Sequence, residues 1–392
     1  MAARRIPRDA AQKMAKIEAK CAALAAEKDA LAAENAALKA ASDLDGVLWN
    51  SDNDRHGRRP PTLAHAKEIL HMVLHEPELM RKMTLARMDV FEYILERFVE
   101  MADADPDAPL FGENDDRTSD PGRRCHLRYD EALLLTLTCM RAKIPQDILE
   151  IFFGVDQTTV SRYFNYVRPV LDEILPTPRN LFRAITSAGS REEIEMLVPG
   201  MRLLPDGTLV GTRRPSKKEE RDPRYGRGKK FSANTVVVAN RLKWIVGITE
   251  TVPGKVPDIT PCKELLANFE KSSADLGLAY KIIADKGFQG LADALPESYV
   301  RTPVKRGRKR RDGGRRDLTA DQKEYNGGVA AQRIGAEHGI GMLKRFRAVS
   351  GVHEGTLGEL NDNINTVAGL VNLDLMGVKK FMRLRDIFRI GT

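Results

Sequence analysis

The sequence predicts a mixed α/β domain preceded by an all-α helix-turn-helix domain and an N-terminal coiled coil. Three observations predict it. Apolar residues recur every seventh position within residues 10–41 and at helical spacing over 62–178, and beyond Pro178 they gather in short β-branched runs.

The first element is a heptad array in which Ile17, Leu24, Leu31 and Leu38 repeat, with Met14, Cys21, Lys28 and Asn35 three places before each. This is a leucine zipper pattern. Asn35 at an a position favours two parallel strands, and Lys13 would then face Glu18, and Glu34 face Lys39, across a homodimer. A single Ala-rich amphipathic helix has the same spacing. Residues 43–61 break the pattern with Asp, Gly and paired Pro and read as a linker.

From Thr62 to Met101 the apolar spacing is that of packing helices, and residues 102–126, rich in Asp, Pro and Gly, read as a loop. Within 129–175, EALLLTLTCMRAKI reads as one helix, Pro145 opens a second, and Gly154 turns the chain into a third. Asp156 is placed to cap that third helix, and Val155 with Val160 to pack it. Gln157, Thr158, Ser161 and Arg162 occupy its early outward positions, which suit base edges and phosphates. A helical hairpin without a DNA role has identical core spacing.

The second half, residues 200–376, reads as a strand around RLLPDG, a hairpin from FSANTVVVAN and RLKWIVGITE, and a helix from ITPCKELLANFEKSSADLG. A strand in AYKIIAD and a long helix from Thr319 to Val349 follow. Three acids stand at element ends: Asp206 in the first strand, Asp285 after YKIIA, and Glu337 on the long helix. Arg333, Glu337 and Lys344 are offset by four and eleven residues and so share one helix face. A carboxylate flanked by cations suits a metal beside phosphate, whereas an Arg333–Glu337 surface pair would be worth a few tenths of a kcal/mol. Single acids at strand ends are commonly solvated or capping.

Composition is that of an ordinary soluble protein, with 42% apolar and 30% charged residues. No apolar run approaches the roughly 20 residues of a membrane helix, and the N-terminus lacks the apolar core of a secretory signal. The protein is expected to stay where it is made, cytoplasmic and nucleoid-associated. Cys21, Cys125, Cys139 and Cys262 form no C-x-x-C pair, which fits reduced thiols. His71 and His75 have a metal-compatible spacing without the acid of an H-E-x-x-H site, and an ordinary helix face is the stronger reading.

The net charge of +8 is local. Residues 301–316 hold nine Lys or Arg and one acid, so this stretch equals the excess of the whole chain. Lys305, Arg306, Arg308, Lys309, Arg310 and Arg311 lie in it, and such a tract attracts the phosphates of a nucleic acid. A solvated loop or a nuclear-import signal would look similar.

Several motifs, in this order, resemble one family: YDEALLLTLTCMR with FGVDQTTVSRYF, PDGTLVGTRRP, ADKGFQG, TADQKEYN, and R-x-x-x-E-x-x-x-x-x-x-K around Glu337. They resemble the DDE-type insertion-sequence transposases whose endonuclease domain is similar to the Harbinger nucleases. The resemblance implies an RNase H-like fold over 200–376, with Asp206, Asp285 and Glu337 as catalytic acids and Asp258 as a fourth metal-binding acid. It implies two Mg²⁺ or Mn²⁺ ions and no other cofactor, hard cations that prefer oxygen ligands. Double-stranded DNA, as transposon ends and target, is the implied partner.

The chain departs from the family pattern at Pro205, which would remove a ladder donor from a central strand, at Gly335 and Gly339, each unfavourable in a helix by about 1 kcal/mol, and at Ala330, where the family has Tyr. Besides an active transposase, two readings stay open: a dimeric DNA-binding regulator whose catalytic domain is spent, and a nuclease acting on RNA-containing duplexes. The last explains the acids but neither the zipper nor the helix-turn-helix.

Overall fold

The computed structural model describes residues 64–109, 111, 127–225, 230–307 and 317–390. All of these fall within one compact unit, Arg59–Thr392. The predicted coiled coil at 10–41, Cys21 and Cys125 lie outside the described residues.

The amphipathic stretch after Thr62 forms α1 (Ala64–His75), α2 (Pro77–Thr84) and α3 (Met88–Ala104). His75 Nδ1 meets the His71 carbonyl at 2.8 Å and the two rings stack, so this pair is a helix face. Next come α4 (Tyr129–Ala142), α5 (Gln146–Phe153) and α6 (Gln157–Ile174). Gly154 ends α5 at φ 63°, a left-handed conformation that glycine adopts without strain. Asp156 accepts the Thr159 N–H at 2.9 Å and caps α6, and Val155 and Val160 are buried between the helices.

Two further helices, α7 (Pro178–Thr186) and α8 (Arg191–Leu197), lead into a six-stranded sheet. Its strands are β1 (Arg202–Gly211), β2 (Ser232–Ala239), β3 (Ile245–Ile248), β4 (Val252–Pro253), β5 (Lys281–Ile283) and β6 (Tyr299–Arg301). The order is β3-β2-β1-β5-β6, with β4 beside β2. β1 to β3 form an antiparallel meander, and β5 and β6 add in parallel. The helix α9 (Ile259–Ala274) joins the two parts, and α10 (Ala320–Leu343) follows β6. Thr319 and Gln322 close a capping box at the start of α10. β6 goes beyond the sequence expectation: three residues of a mixed polar and apolar run carry too little periodicity to read.

The C-terminal helices are α11 (Leu357–Met376) and α12 (Val378–Phe388). α11 is buried along most of its length, with Asn361, Asn365, Thr366 and Asn372 among its buried residues. Its Asn372 accepts the Ile245 N–H at 2.7 Å and donates to the carbonyls of Ile245 and Pro176, which satisfies backbone groups on the edge strand β3. One apolar core runs from α2–α6 through α7 and α11 to one face of the sheet. A smaller cluster, Leu204, Ala239 and Ile283 with Val329 and Ala336, fixes α10 on the other face. Cys139 and Cys262 are free thiols, both pushed up to about 12 by burial. Among the described residues no helix is long and apolar enough to cross a membrane.

Candidate active site

The parallel pairing of β1 with β5 ends at Leu203 against Ile282, while its antiparallel pairing with β2 continues to Gly211. From Leu204 to Val210 β1 therefore has a neighbouring strand on one side only. Pro205 stands in this stretch, where a missing N–H is tolerated as on an edge strand. The expected conflict of proline with a central strand is relieved because the sheet splits there.

The split separates Asp206, the next residue of β1, from the end of β5. Asp285 begins the turn Lys286–Phe288, whose Phe288 N–H donates to the Asp285 carbonyl at 2.9 Å. α10 crosses the same face close to the sheet. A Cβ on Gly335 would stand 3.3 Å from Leu204 Cδ1, tighter than most such contacts, so this glycine serves the approach of helix to strand.

That approach delivers Arg333 to the acids. Arg333 is 8% exposed, with Nη2 3.3 Å from Asp206 Oδ1 and Nη1 3.5 Å from Asp285 Oδ1. The i,i+4 pair with Glu337 does not form. Among the described residues Glu337 has no ion pair, and it stands exposed one turn along the helix. Burial pushes the Asp206 carboxyl above the usual range, Arg333 and the Gly207 N–H oppose the rise, and the charges of Asp285 and Glu337 add to it. Asp285 and Glu337 thus both stand close enough for their charge to act on Asp206.

Asp258 approaches from α9. It holds the N-cap position, yet its carboxylate does not cap the helix. It accepts from Asn234 Nδ2 at 2.7 Å, and it lies so close to Gly207 that a Cβ there would be 2.6 Å from Asp258 Cγ. Asn234, buried on β2, and Gly207 are site residues that sequence patterns do not single out. Their signals are a polar residue inside SANTVVVA and a glycine directly after Asp206.

As donors the four acids suit a hard divalent cation, which takes oxygen ligands. The space that Gly207 leaves for Asp258 beside Asp206 fits that use. Among the described residues no three His, Cys, Asp or Glu side chains stand ready as a metal cage, and the Arg333 guanidinium lies between Asp206 and Asp285.

On α6, Gln157 and Thr158 are exposed, and Ser161 and Arg162 are half-buried. Gln146 of α5 holds two of them: it accepts from Gln157 Nε2 at 2.9 Å and donates to Ser161 Oγ at 3.0 Å. Arg162 lies 5.4 Å from the Tyr163 ring centroid, with Nε and Nη2 buried, so its guanidinium is turned towards the domain. Lys344 is exposed at the C-cap of α10. Lys305 and Arg306 are exposed, whereas Arg308, Lys309, Arg310 and Arg311 lie outside the described residues.

Residues 205–372 match the family model described as DDE superfamily endonuclease, and residues 125–177 match the helix-turn-helix of DDE superfamily endonuclease. The probable transposase for insertion sequence element IS702 of Microchaete diplosiphon is 22% identical over 255 residues, which cover 65% of this chain and 84% of that protein. No solved structure matches.

Proposed function

From a chain that belongs to the DDE-type insertion-sequence transposases through these two domains, we propose a DNA transposase that binds transposon ends, cuts them in a metal-dependent reaction and joins them to target DNA. The observation that carries the proposal is the convergence of Asp206 of β1, Asp285 just beyond β5 and Arg333 of α10. The strand order, an antiparallel meander extended by parallel strands at β1, supports an RNase H-like domain over 200–376.

In this reading Asp206, Asp285 and Glu337 are the catalytic acids, and Asp258 is a fourth metal-binding group. Two Mg²⁺ or Mn²⁺ ions, when bound, activate the attacking oxygen and stabilise the leaving one in an in-line displacement at phosphorus. The chain itself orients the acids: Gly207 makes room for Asp258, Asn234 holds it, and Arg333 balances the charge of Asp206 and Asp285. The Arg333 guanidinium would also serve a DNA phosphate, and Lys344 a second one further along α10. The helix-turn-helix at 129–175, within a helical domain at 62–178, reads the ends. The basic insertion 301–316 holds phosphates, and residues 10–41 pair two copies as a coiled coil. The protein acts on nucleoid DNA in the compartment where it is made.

The test is cleavage of a duplex carrying the terminal repeats, with Mg²⁺ or Mn²⁺ and with chelator. Asp206→Asn, Asp285→Asn and Glu337→Gln are expected to abolish cleavage while binding to the ends stays nearly intact. Undiminished cleavage by any one of them removes that residue from the site, and a wild-type protein that binds ends without cutting them favours the regulator.

A further inference from the structure

A second charged region lies on the sheet face that carries Asp206, on the other flank of α10. Arg202 of β1 pairs in register with Lys281 of β5, and Lys281 pairs with Tyr299 of β6. Register partners on parallel strands project to the same face, and so do residues two apart along a strand. Arg202, Lys281, Tyr299 and Arg301 therefore share the face of Leu204, Ile283 and Asp206. Together with Gln332 of α10 they line an open cleft of about 720 Å³. α10 thus presents Arg333 to the acids and Gln332, the residue before it, to the cleft.

The cations of this cleft are not spent on acids. Among the described residues Arg202, Lys281 and Arg301 make no ion pair. Arg202 and Lys281 stand directly opposite on neighbouring strands, a like-charge juxtaposition that is unfavourable until an anion neutralises it. Beside them Tyr299 is 69% exposed, a large ring with no apolar cover. A basic groove with an exposed aromatic ring is the chemistry that holds an unpaired nucleic-acid strand, phosphates on the cations and a base on the ring. Arg202 and Asp206 are four residues apart on one strand, about 13 Å.

We propose that this cleft is a binding site for unpaired DNA, which anchors a strand beside the acids and across α10 from them. The proposal rests on the transposase reading for its biological setting, but its chemistry is independent of cleavage. The test uses the full-length protein in chelator, with a fluorescent random-sequence single-stranded 20-mer and a random duplex as probes, titrated across salt concentrations.

Lys281→Ala/Arg301→Ala is expected to weaken single-strand binding at least tenfold and to lower the salt slope by about 0.7 for each phosphate no longer neutralised. Tyr299→Ala is expected to weaken it about tenfold with an unchanged salt slope, and Tyr299→Phe to restore it. These side chains are exposed, and unchanged thermal unfolding verifies the fold of each variant. Wild-type single-strand affinity in both Lys281→Ala/Arg301→Ala and Tyr299→Ala overturns the proposal, as does a weakening confined to duplex DNA. If these variants lose single-strand binding while the acid variants still cleave, the cleft stands and the transposase site falls. If the acid variants lose cleavage while the cleft variants bind normally, the reverse holds.

Discussion

Arg333 reaches Asp206 at 3.3 Å instead of closing the helical pair with Glu337 four residues along. A buried guanidinium that bridges two carboxylates is worth most through what its removal exposes, since uncompensated buried charge is strongly destabilising. Arg333→Ala is expected to push the Asp206 carboxyl further up, to lower end cleavage by at least tenfold, and to destabilise the fold by about 1–3 kcal/mol. Arg333→Lys, a point charge without the planar fork, restores part of the stability and less of the cleavage. Thermal unfolding and cleavage rates for the two variants check this; a Lys variant with wild-type cleavage contradicts the bridging role.

Gly207 carries no side chain because Asp258 fills the place where one would be. Gly207→Ala puts a Cβ 2.6 Å from Asp258 Cγ, so the carboxylate and its Asn234 partner must shift. The expected result is abolished cleavage with a stability change of about 1–3 kcal/mol, as for other overpacked sites. Adding Asp258→Gly is expected to recover the stability and not the cleavage. Chemical denaturation beside the cleavage assay distinguishes these outcomes, and full cleavage by Gly207→Ala removes Asp258 from the site.

Gln157 and Ser161 are both held by Gln146 at the start of α6. Gln157→Ala is expected to reduce discrimination between terminal repeats and random DNA by about 1–3 kcal/mol if its contact is bidentate. Gln146→Ala touches no base, yet it frees both side chains, and each then has about 0.5–1.5 kcal/mol of ordering to recover on binding. Neutralising Arg308, Lys309, Arg310 and Arg311 instead is expected to weaken all sequences alike and to flatten the salt dependence by about 0.9 per phosphate on duplex DNA. Fluorescence anisotropy on specific and random duplexes at several salt concentrations reads all three. The division of labour fails if the tract variant loses discrimination at constant salt slope.

Asp172 joins α6 to α11, where it accepts from Thr366 Oγ1 at 2.5 Å and lies 3.5 Å from Arg168. Burial raises its carboxyl from 3.8 to about 6; the Thr366 hydroxyl, Arg168 and Arg179 oppose the rise and Asp362 adds to it. A folded-state value above the unfolded one means that the stabilising contribution is complete below pH about 4 and is lost as pH rises through about 6. The difference of about two pH units corresponds to about 3 kcal/mol. Asp172→Asn keeps an acceptor for Thr366 and does not titrate. Relative to that variant, the wild-type protein is expected to lose up to this amount between pH 4 and pH 7, measured by denaturant unfolding. A constant difference across the range refutes the assignment.

Local periodicity and turn chemistry are written in the sequence, and every feature that rests on them could be read there. These include the helix-turn-helix with Gly154 at its turn and Asp156 at its cap, the hairpin of β2 and β3, α9, and a long helix starting at Thr319. Asp206 in a strand, Asp285 just beyond one and Glu337 on a helix were equally legible, because strand length and turn residues are encoded within a few neighbours. Only the packing of distant elements decided what those acids meet. Helical spacing offered Arg333 and Glu337 to each other, but burying α10 on the sheet turned the guanidinium towards Asp206 and Asp285, where two charges compete better than one exposed carboxylate. Pro205 looked misplaced until the splitting of β1 from β5 left that side of the strand without a partner. Asp258 and Gly207, fifty-one positions apart, became neighbours only in the tertiary structure. Such contacts depend on register and packing between distant elements, which no local pattern records.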